Sequence, residues 1–276
     1  MSLYKKFLKY CGTIFTVLIL SACAHGPSQI PIGRLSATDK IGVISIAADY
    51  ARLGHVGMTL FNNEHYYVPL GDFGLDSKIE TDTLDSLKGS SVKVVSVTYD
   101  RNTLLRTYNT HDLDSSMLIK PLWFKSDLSI IRDDLLGIAK KNNVGYLVVV
   151  TKAVCPDTFG QSNQNLNGFG LYNGRYASGR IFGGHANNVT MAYMCIEASL
   201  LDSITGDVIA TRRVTPTGTE KGAAPALAVA YWTKSLSDIP RDQQDHIVGA
   251  FRKMSAAVVP TIAALLNISV NSQSLQ

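Results

Sequence analysis

The side chains that could carry chemistry are few and widely spaced. Four cysteines, Cys11, Cys23, Cys155 and Cys195, could each act as nucleophile, metal ligand or disulfide half, and six histidines, His25, His55, His65, His111, His185 and His246, as ligand or general base. No two histidines stand at His-x-x-x-His spacing and no Cys-x-x-Cys occurs, so the patterns that bring two zinc ligands onto one helix face or into one turn are missing. There is no Gly-x-Ser-x-Gly elbow, and Ser90-Ser91 and Ser178 lack the strand-to-helix setting that would present a hydroxyl. The carboxylates of Asp133-Asp134 are adjacent, so on a helix they point to different faces and read as solvent-facing. Asp72-Phe73-Gly74 has no catalytic loop beside it, and Gly168-Phe169-Gly170 with Gly174 misses the dinucleotide spacing by one residue. Glu64-His65 and His111-Asp112 read as exposed turn residues. These residues nominate no catalytic group, no metal ligand and no cofactor; the alternative is a hydrolase whose site assembles only in space.

The N-terminus is more specific. Residues 1–22 hold Lys5, Lys6 and Lys9, no acid, and the apolar run Ile14-Phe15-Thr16-Val17-Leu18-Ile19-Leu20 before the small residues Ser21 and Ala22. A basic start, a short apolar run and small residues make an export signal, and the run is shorter than the roughly 20 apolar residues of a membrane-spanning helix. Leu20-Ser21-Ala22-Cys23 resembles the lipobox of bacterial lipoproteins. That resemblance implies diacylation of Cys23, cleavage before it and acylation of the freed amine. Ala24 in place of Asp implies sorting to the outer membrane, with the folded part facing the periplasm. Residues 23–39, with Gly26, Pro27, Pro31 and Gly33, read as a tether.

Charge and cysteine count change once the signal is set aside. Residues 1–22 hold three of the 26 bases and none of the 22 acids, so the remaining chain carries a net charge of +1. Nucleic-acid binding loses its electrostatic basis, and no basic stripe with interleaved aromatics is present. Cys155 and Cys195 remain in an oxidising compartment, either as a disulfide or as two buried thiols.

The rest, with 46% hydrophobic and 17% charged residues in the full chain, has the composition of a globular core rather than of a disordered chain. Residues 40–270 read as one α/β domain, a mixed sheet with helices packed on it. Ile41 to Ile46, Val92 to Tyr99 and Tyr146 to Val150 are apolar on both alternating faces, as buried strands are. His55 to Leu70 around Asn62-Asn63 reads as a hairpin. A helix runs to Gly89 with Asp76 as N-cap, and Leu128, Ile131, Leu135 and Ile138 mark a second before Asn142-Asn143. Val189 to Leu201 and Asp207 to Val214 flank Ser203-Ile204-Thr205-Gly206 as an antiparallel hairpin. Ala224 to Ser235 and Arg241 to Leu266 read as helices, the latter kinked at Pro260.

One stretch breaks this pattern. Residues 157–188 are rich in Gly, Asn and Ser, with Phe159, Phe169, Tyr172, Tyr176 and Phe182 interleaved. Three readings stand: a mobile loop, a binding loop, or a hairpin that pairs with neighbouring subunits or enters a membrane.

Lys40-Ile41-Gly42-Val43-Ile44, Val144-Gly145-Tyr146-Leu147-Val148-Val149 and the run from Ala198 to Ile209 with Leu201-Asp202-Ser203-Ile204-Thr205-Gly206-Asp207-Val208 together resemble the α/β domain of envelope lipoproteins. These include the curli-secretion pore subunit, the outer-membrane activator of peptidoglycan synthases and the N-terminal domain of the Tol propeller protein. The resemblance covers residues 40–216 and carries no catalytic motif. It implies a membrane-anchored protein that binds or scaffolds a protein partner in envelope assembly. Its alternative is a homo-oligomeric secretion component using 157–188 for subunit or membrane contacts.

Overall fold

The computed structural model describes residues 35–36, 38–55, 63–109, 128–155, 166–175, 188–214, 226–229 and 232–267. The signal 1–22, Cys23 and most of the tether lie outside the described residues, as do Asn62, His111 and His185.

Ten strands are described: β1 (Lys40–Ser45), β2 (Tyr50–His55), β3 (Glu64–Pro69), β4 (Lys93–Val95), β5 (Tyr146–Lys152), β6 (Val154–Cys155), β7 (Leu166–Arg175), β8 (Asn188–Asp202), β9 (Val208–Arg213) and β10 (Ala226–Val229). They form one mixed sheet with helices on it, an α/β fold. The long strand β8 organises it. Its second half pairs antiparallel with β5 on one edge and β9 on the other, both through Glu197 to Leu201. Its first half pairs antiparallel with β7 and with β10, both through Thr190 to Tyr193. Two half-sheets, β4-β1-β5-β8-β9 and β3-β2-β7-β8-β10, therefore share one strand. Within them β1 pairs in parallel with β4 and β5, and β2 with β7.

Both faces are covered. Helices α1 (Leu75–Ser86), α4 (Arg241–Ser255) and α5 (Val258–Leu265) cover one face, where Leu75, Ile79, Ile247, Phe251, Val258 and Ile262 meet Ile41, Val43, Val148, Val150 and Leu200. On the other face, α2 (Arg101–Asn109) and α3 (Arg132–Asn142) bring Leu104, Tyr108, Leu135 and Ala139 onto Ile44, Leu147, Val149 and Leu201. Each such large side chain taken from water contributes roughly 1.5–3 kcal/mol, which makes these two layers the main source of stability. Gly206 (φ +72°) turns β8 into β9, and Asn143 (φ +51°) ends α3.

Several sequence expectations are corrected. Asp76 does not cap α1: the N-cap is Gly74 at φ +63°, and Asp76 sits inside the first turn with its carboxylate directed elsewhere. Val92 to Tyr99 yields only the three-residue edge strand β4. Arg101–Asn109 is an unanticipated helix. Within 224–235 the described Ala226–Val229 is strand β10, because β8 offers an open edge there. The expected kink at Pro260 lies earlier: the chain breaks between Ser255 and Val258, and Pro260 falls in the first turn of α5, where its missing N–H costs no hydrogen bond. His65 lies in β3 rather than in a turn.

The largest correction concerns 157–188. Of its described residues, Leu166–Arg175 is not loop but strand β7, held between β2 and β8 and paired antiparallel with β8 as a hairpin, with Phe169 and Leu171 fully buried. The glycines there are packing devices. A Cβ on Gly170 would stand 2.3 Å from the Arg52 carbonyl oxygen and 2.4 Å from the Tyr193 ring, so the tyrosine lies where a side chain would otherwise be.

Two glycine substitutions should therefore diverge. Gly170→Ala is expected to destabilise by about 3 kcal/mol through overpacking against rigid neighbours. Gly137→Ala, in α3 with nothing near the added methyl, should stabilise by about 0.4–1 kcal/mol. Urea midpoints at unchanged m-value measure both; equal effects would contradict the packing account.

Candidate functional site

In parallel sheets, ligands bind outside the carboxyl ends of strands where the winding direction reverses. Here that point is β1. The connection from β1 to β4 carries α1 on one face, the connection from β4 to β5 carries α2 and α3 on the other, and β1 lies between the two neighbours. A dense polar network occupies this end.

Asp76 is its buried centre. Its Oδ1 accepts from Ser45 Oγ at 2.6 Å and from the amides of Ala47 at 3.0 Å and Ala48 at 3.2 Å, which follow β1. One turn on, Glu80 accepts from the Ser45 amide at 2.8 Å, from the Tyr99 hydroxyl, and from Arg101 Nη2 at 2.8 Å. Arg101 also donates to Ser77 Oγ at 2.9 Å and to the Ser45 carbonyl at 3.3 Å, and lies over the Tyr99 ring. Burial pushes the Asp76 carboxyl above the usual carboxylate range against the pull of its donors and of Arg101. Burial, then the Glu80 charge, raises the Tyr99 phenol. The network contains three hydroxyls (Ser45, Ser77 and Tyr99) and two acids but no imidazole, and its polar groups are turned on one another. What it does is lock the end of β1 to the starts of α1 and α2. Sequence reading missed it; the available signal was Asp76 and Glu80, one turn apart on α1.

Beside it a groove of about 270 Å³ runs between the segment after β4 and α3, lined by Tyr99, Asp100, Thr103, Asp133, Asp134 and Lys141 among others. Asp100 is engaged as the cap of α2, accepting from the Thr103 amide and hydroxyl. Asp133 and Asp134 are exposed, as their adjacent positions imply.

Two more polar groups sit on the first face. Lys152, 2% exposed at the end of β5, pairs with Asp49, and its ammonium lies against the Tyr50 ring. Across β2, β7 and β8, His55 Nδ1 meets Asn173 Oδ1 at 2.8 Å and Asn173 donates to Thr190 at 2.7 Å, while Trp232 covers the His55 ring. His65 contacts Arg52 Nη2 through its ring nitrogens; partial burial first, and then the guanidinium charge, lowers its pKa to about 4.

Cys155 and Cys195 are joined as a disulfide, both sulfurs fully buried beside Leu166, Tyr172 and Tyr193. With a sequence separation of 40, the bond stabilises by about 4 kcal/mol through restriction of the unfolded chain. Among the described residues no group of three or more His, Cys, Asp or Glu is placed to hold a metal ion. Cys23 is outside the described residues.

No protein-family model matches the chain, and no curated protein matches it. Among solved structures it is similar to the PelC dodecamer from Paraburkholderia phytofirmans, at 11% identity over 84% of this chain and 94% of that one, TM-score 0.28. It is also similar to protein XCC0632 from Xanthomonas campestris, at 10% identity over 87% and 96%, TM-score 0.33. A third is the LpoB C-terminal domain from Salmonella enterica, at 14% identity over 66% and 84%, TM-score 0.23. Likeness at this level leaves the functional argument to the chain's own residues.

The network predicts a split between two substitutions. Asp76→Ala leaves three donors unsatisfied and should cost roughly 2–4 kcal/mol, whereas Asp76→Asn keeps an acceptor oxygen and removes the buried charge, so it should be close to neutral at pH 7. Equal losses in urea unfolding would refute the assignment. His65 gives a pH signature. A histidine whose folded pKa is depressed holds fewer protons folded than unfolded, so the stability it contributes is present above about 6.5 and is lost as pH falls toward about 4. Between those limits the wild type should lose more thermal stability than His65→Gln; parallel curves would exclude this role.

Proposed function

We propose that the chain is a lipid-anchored lipoprotein of the outer membrane facing the periplasm, a non-catalytic binding or scaffold protein for a protein partner in envelope assembly. Residues 1–22 are the signal removed on export, Cys23 carries the lipid, 23–39 form the tether, and 40–270 form the working domain. The observation that carries the non-catalytic reading is the closure of the β1 carboxyl end: where such a sheet would hold a small ligand, Ser45, Asp76, Glu80, Tyr99 and Arg101 bond to one another. A domain whose crevice is filled from within acts through its outer surface. The disulfide supports the compartment, because such bonds persist where the environment is oxidising. Two or more acyl chains at Cys23 would give an anchor that a single chain cannot.

The oligomeric alternative would have to use the rest of 157–188, because Leu166–Arg175, ten of its 32 residues, pairs inside the sheet.

Cell fractionation tests the anchor. After carbonate washing the wild type is expected in the outer-membrane fraction, with a mass showing acylation at Cys23, and Cys23→Ala is expected in the soluble fraction. Retention of Cys23→Ala on the membrane would overturn lipid anchoring. Crosslinking in intact cells is expected to join residues of 40–270 to an envelope protein, and Arg101→Met should leave that crosslink intact while lowering thermal stability.

A further inference from the structure

The two ends of the parallel strands differ in chemistry. At the carboxyl end the polar groups are consumed by the Asp76 network. At the amino end, where the chain arrives from the tether, they are not. There Lys40 opens β1 directly beside Lys93, which opens β4. The Gly145 amide donates to the Lys40 carbonyl at 3.0 Å and the Ser203 amide to the Gly145 carbonyl at 3.1 Å, which places the β8–β9 turn at this same end. At the tip of that turn Ile204 is 88% exposed, the most exposed large apolar side chain among the described residues. Lys140 and Lys141, both exposed, stand in the last turn of α3, four and three residues before Val144, whose carbonyl accepts from Ser203 Oγ at 2.8 Å, and Lys141 also lines the groove along α3.

Four acids nearby are engaged, while Asp133 and Asp134, next to Arg132 at the start of α3, are exposed. Asp202 Oδ1 accepts from the amides of Ile204 and Thr205, Asp39 accepts from the Ser36 amide, Asp207 is beside Arg132, and Asp85 pairs with Lys88. The end therefore presents four lysines, Lys40, Lys93, Lys140 and Lys141, against two unengaged acids, with one isoleucine projecting from its turn.

We propose that this end is a membrane-contact surface, with Ile204 entering the headgroup region and the four lysines facing anionic phospholipid. The proposal rests on the Cys23 anchor for its place in the cell. Lys40 follows Cys23 by only 17 positions, so in chain order this is the end of the sheet next to the anchor. Juxtamembrane lysines are attracted to anionic lipid within a Debye length, and an exposed apolar side chain beside them gains by burial at the interface. The occupant is the anionic bilayer surface rather than a protein, because this end carries lysines and an isolated apolar tip instead of a packed apolar patch.

The test uses the full lipidated chain carrying Ile204→Cys, labelled there with a polarity-sensitive fluorophore; Cys155 and Cys195 are bonded and Cys23 is acylated, so the new thiol takes the label. Asp72→Cys, at the opposite end of β1, is the control. In vesicles of phosphatidylethanolamine with phosphatidylglycerol, the Ile204 label should shift to the blue and be quenched by brominated lipid, while the Asp72 label should report water. In phosphatidylcholine vesicles the Ile204 shift should shrink. A second arm needs no lipidation: the unacylated Cys23→Ser chain should bind the anionic vesicles in a salt-sensitive manner, weakening about five-fold for each of the four lysines changed to Gln. A wet Ile204 label in a wild-type chain that still floats with the vesicles would overturn the contact surface and leave the anchor standing. Lysine-insensitive binding of the Cys23→Ser chain would overturn it as well. Failure of the wild type itself to float would instead remove the anchor, and the second arm would still decide the surface.

Discussion

The fold depends on the pairing capacity of β8. Both of its edges are hydrogen-bonded along most of their length, to β7 and β10 in the first half and to β5 and β9 in the second. A strand in that position cannot tolerate slippage, because a one-residue shift would exchange the rows that pack under α4 and α5 with those on the other face. It also explains the placement of the disulfide: Cys195 lies where β8 passes from one half-sheet to the other, and Cys155 is in β6, where the chain leaves β5 to return as β7. The cross-link pins the junction of the two half-sheets rather than either one alone.

That constraint accounts for which elements were legible in the sequence. β1 and β5 lie between paired neighbours with helices on both faces, so their central residues, Ile41–Ile44 and Leu147–Val150, are apolar on both alternating faces, and α3 has both a periodic stripe and an αL asparagine at its end. β7 occupies an equally central place but was legible only as a glycine-rich anomaly. Its glycines answer to partners far away in the chain, Gly170 to Tyr193 and Arg52, and Gly168 (φ +53°) to Lys152. Composition registers such residues as loop formers, because the contact that requires them is tertiary. Helix α2 was hidden for a different reason: its sequence is polar, and burial of Leu104 and Tyr108 holds it to the core.

The site illustrates the same limit. Motif reading works when reacting groups share a local element, and here it found none. The Ser45, Asp76, Glu80, Tyr99 and Arg101 network is built from pairs separated by 31, 35 and 56 residues. No spacing rule joins them; only the topology that brings α1 and the segment after β4 to the end of β1 does so. Burial also decides their chemistry. An acid that must satisfy two backbone amides and a hydroxyl has its acceptor geometry fixed by the fold, which suits a structural lock and not a group that must change partners during a reaction.

The asymmetry between the two sheet ends then follows from the direction of the parallel strands. Backbone amides left unpaired after β1 need acceptors, and Asp76 and Glu80 supply them, so acidic side chains collect at the carboxyl end and draw in Arg101. At the amino end, the carbonyls of Lys40, Gly145 and Val144 are satisfied by backbone amides and Ser203, so no side-chain acid is required there beyond Asp202 in its own turn. Lysines at that end consequently have no structural partner to which they must be surrendered. Charge that the fold does not need for its own closure is charge available for something outside it, and that end is also where the tether joins the domain.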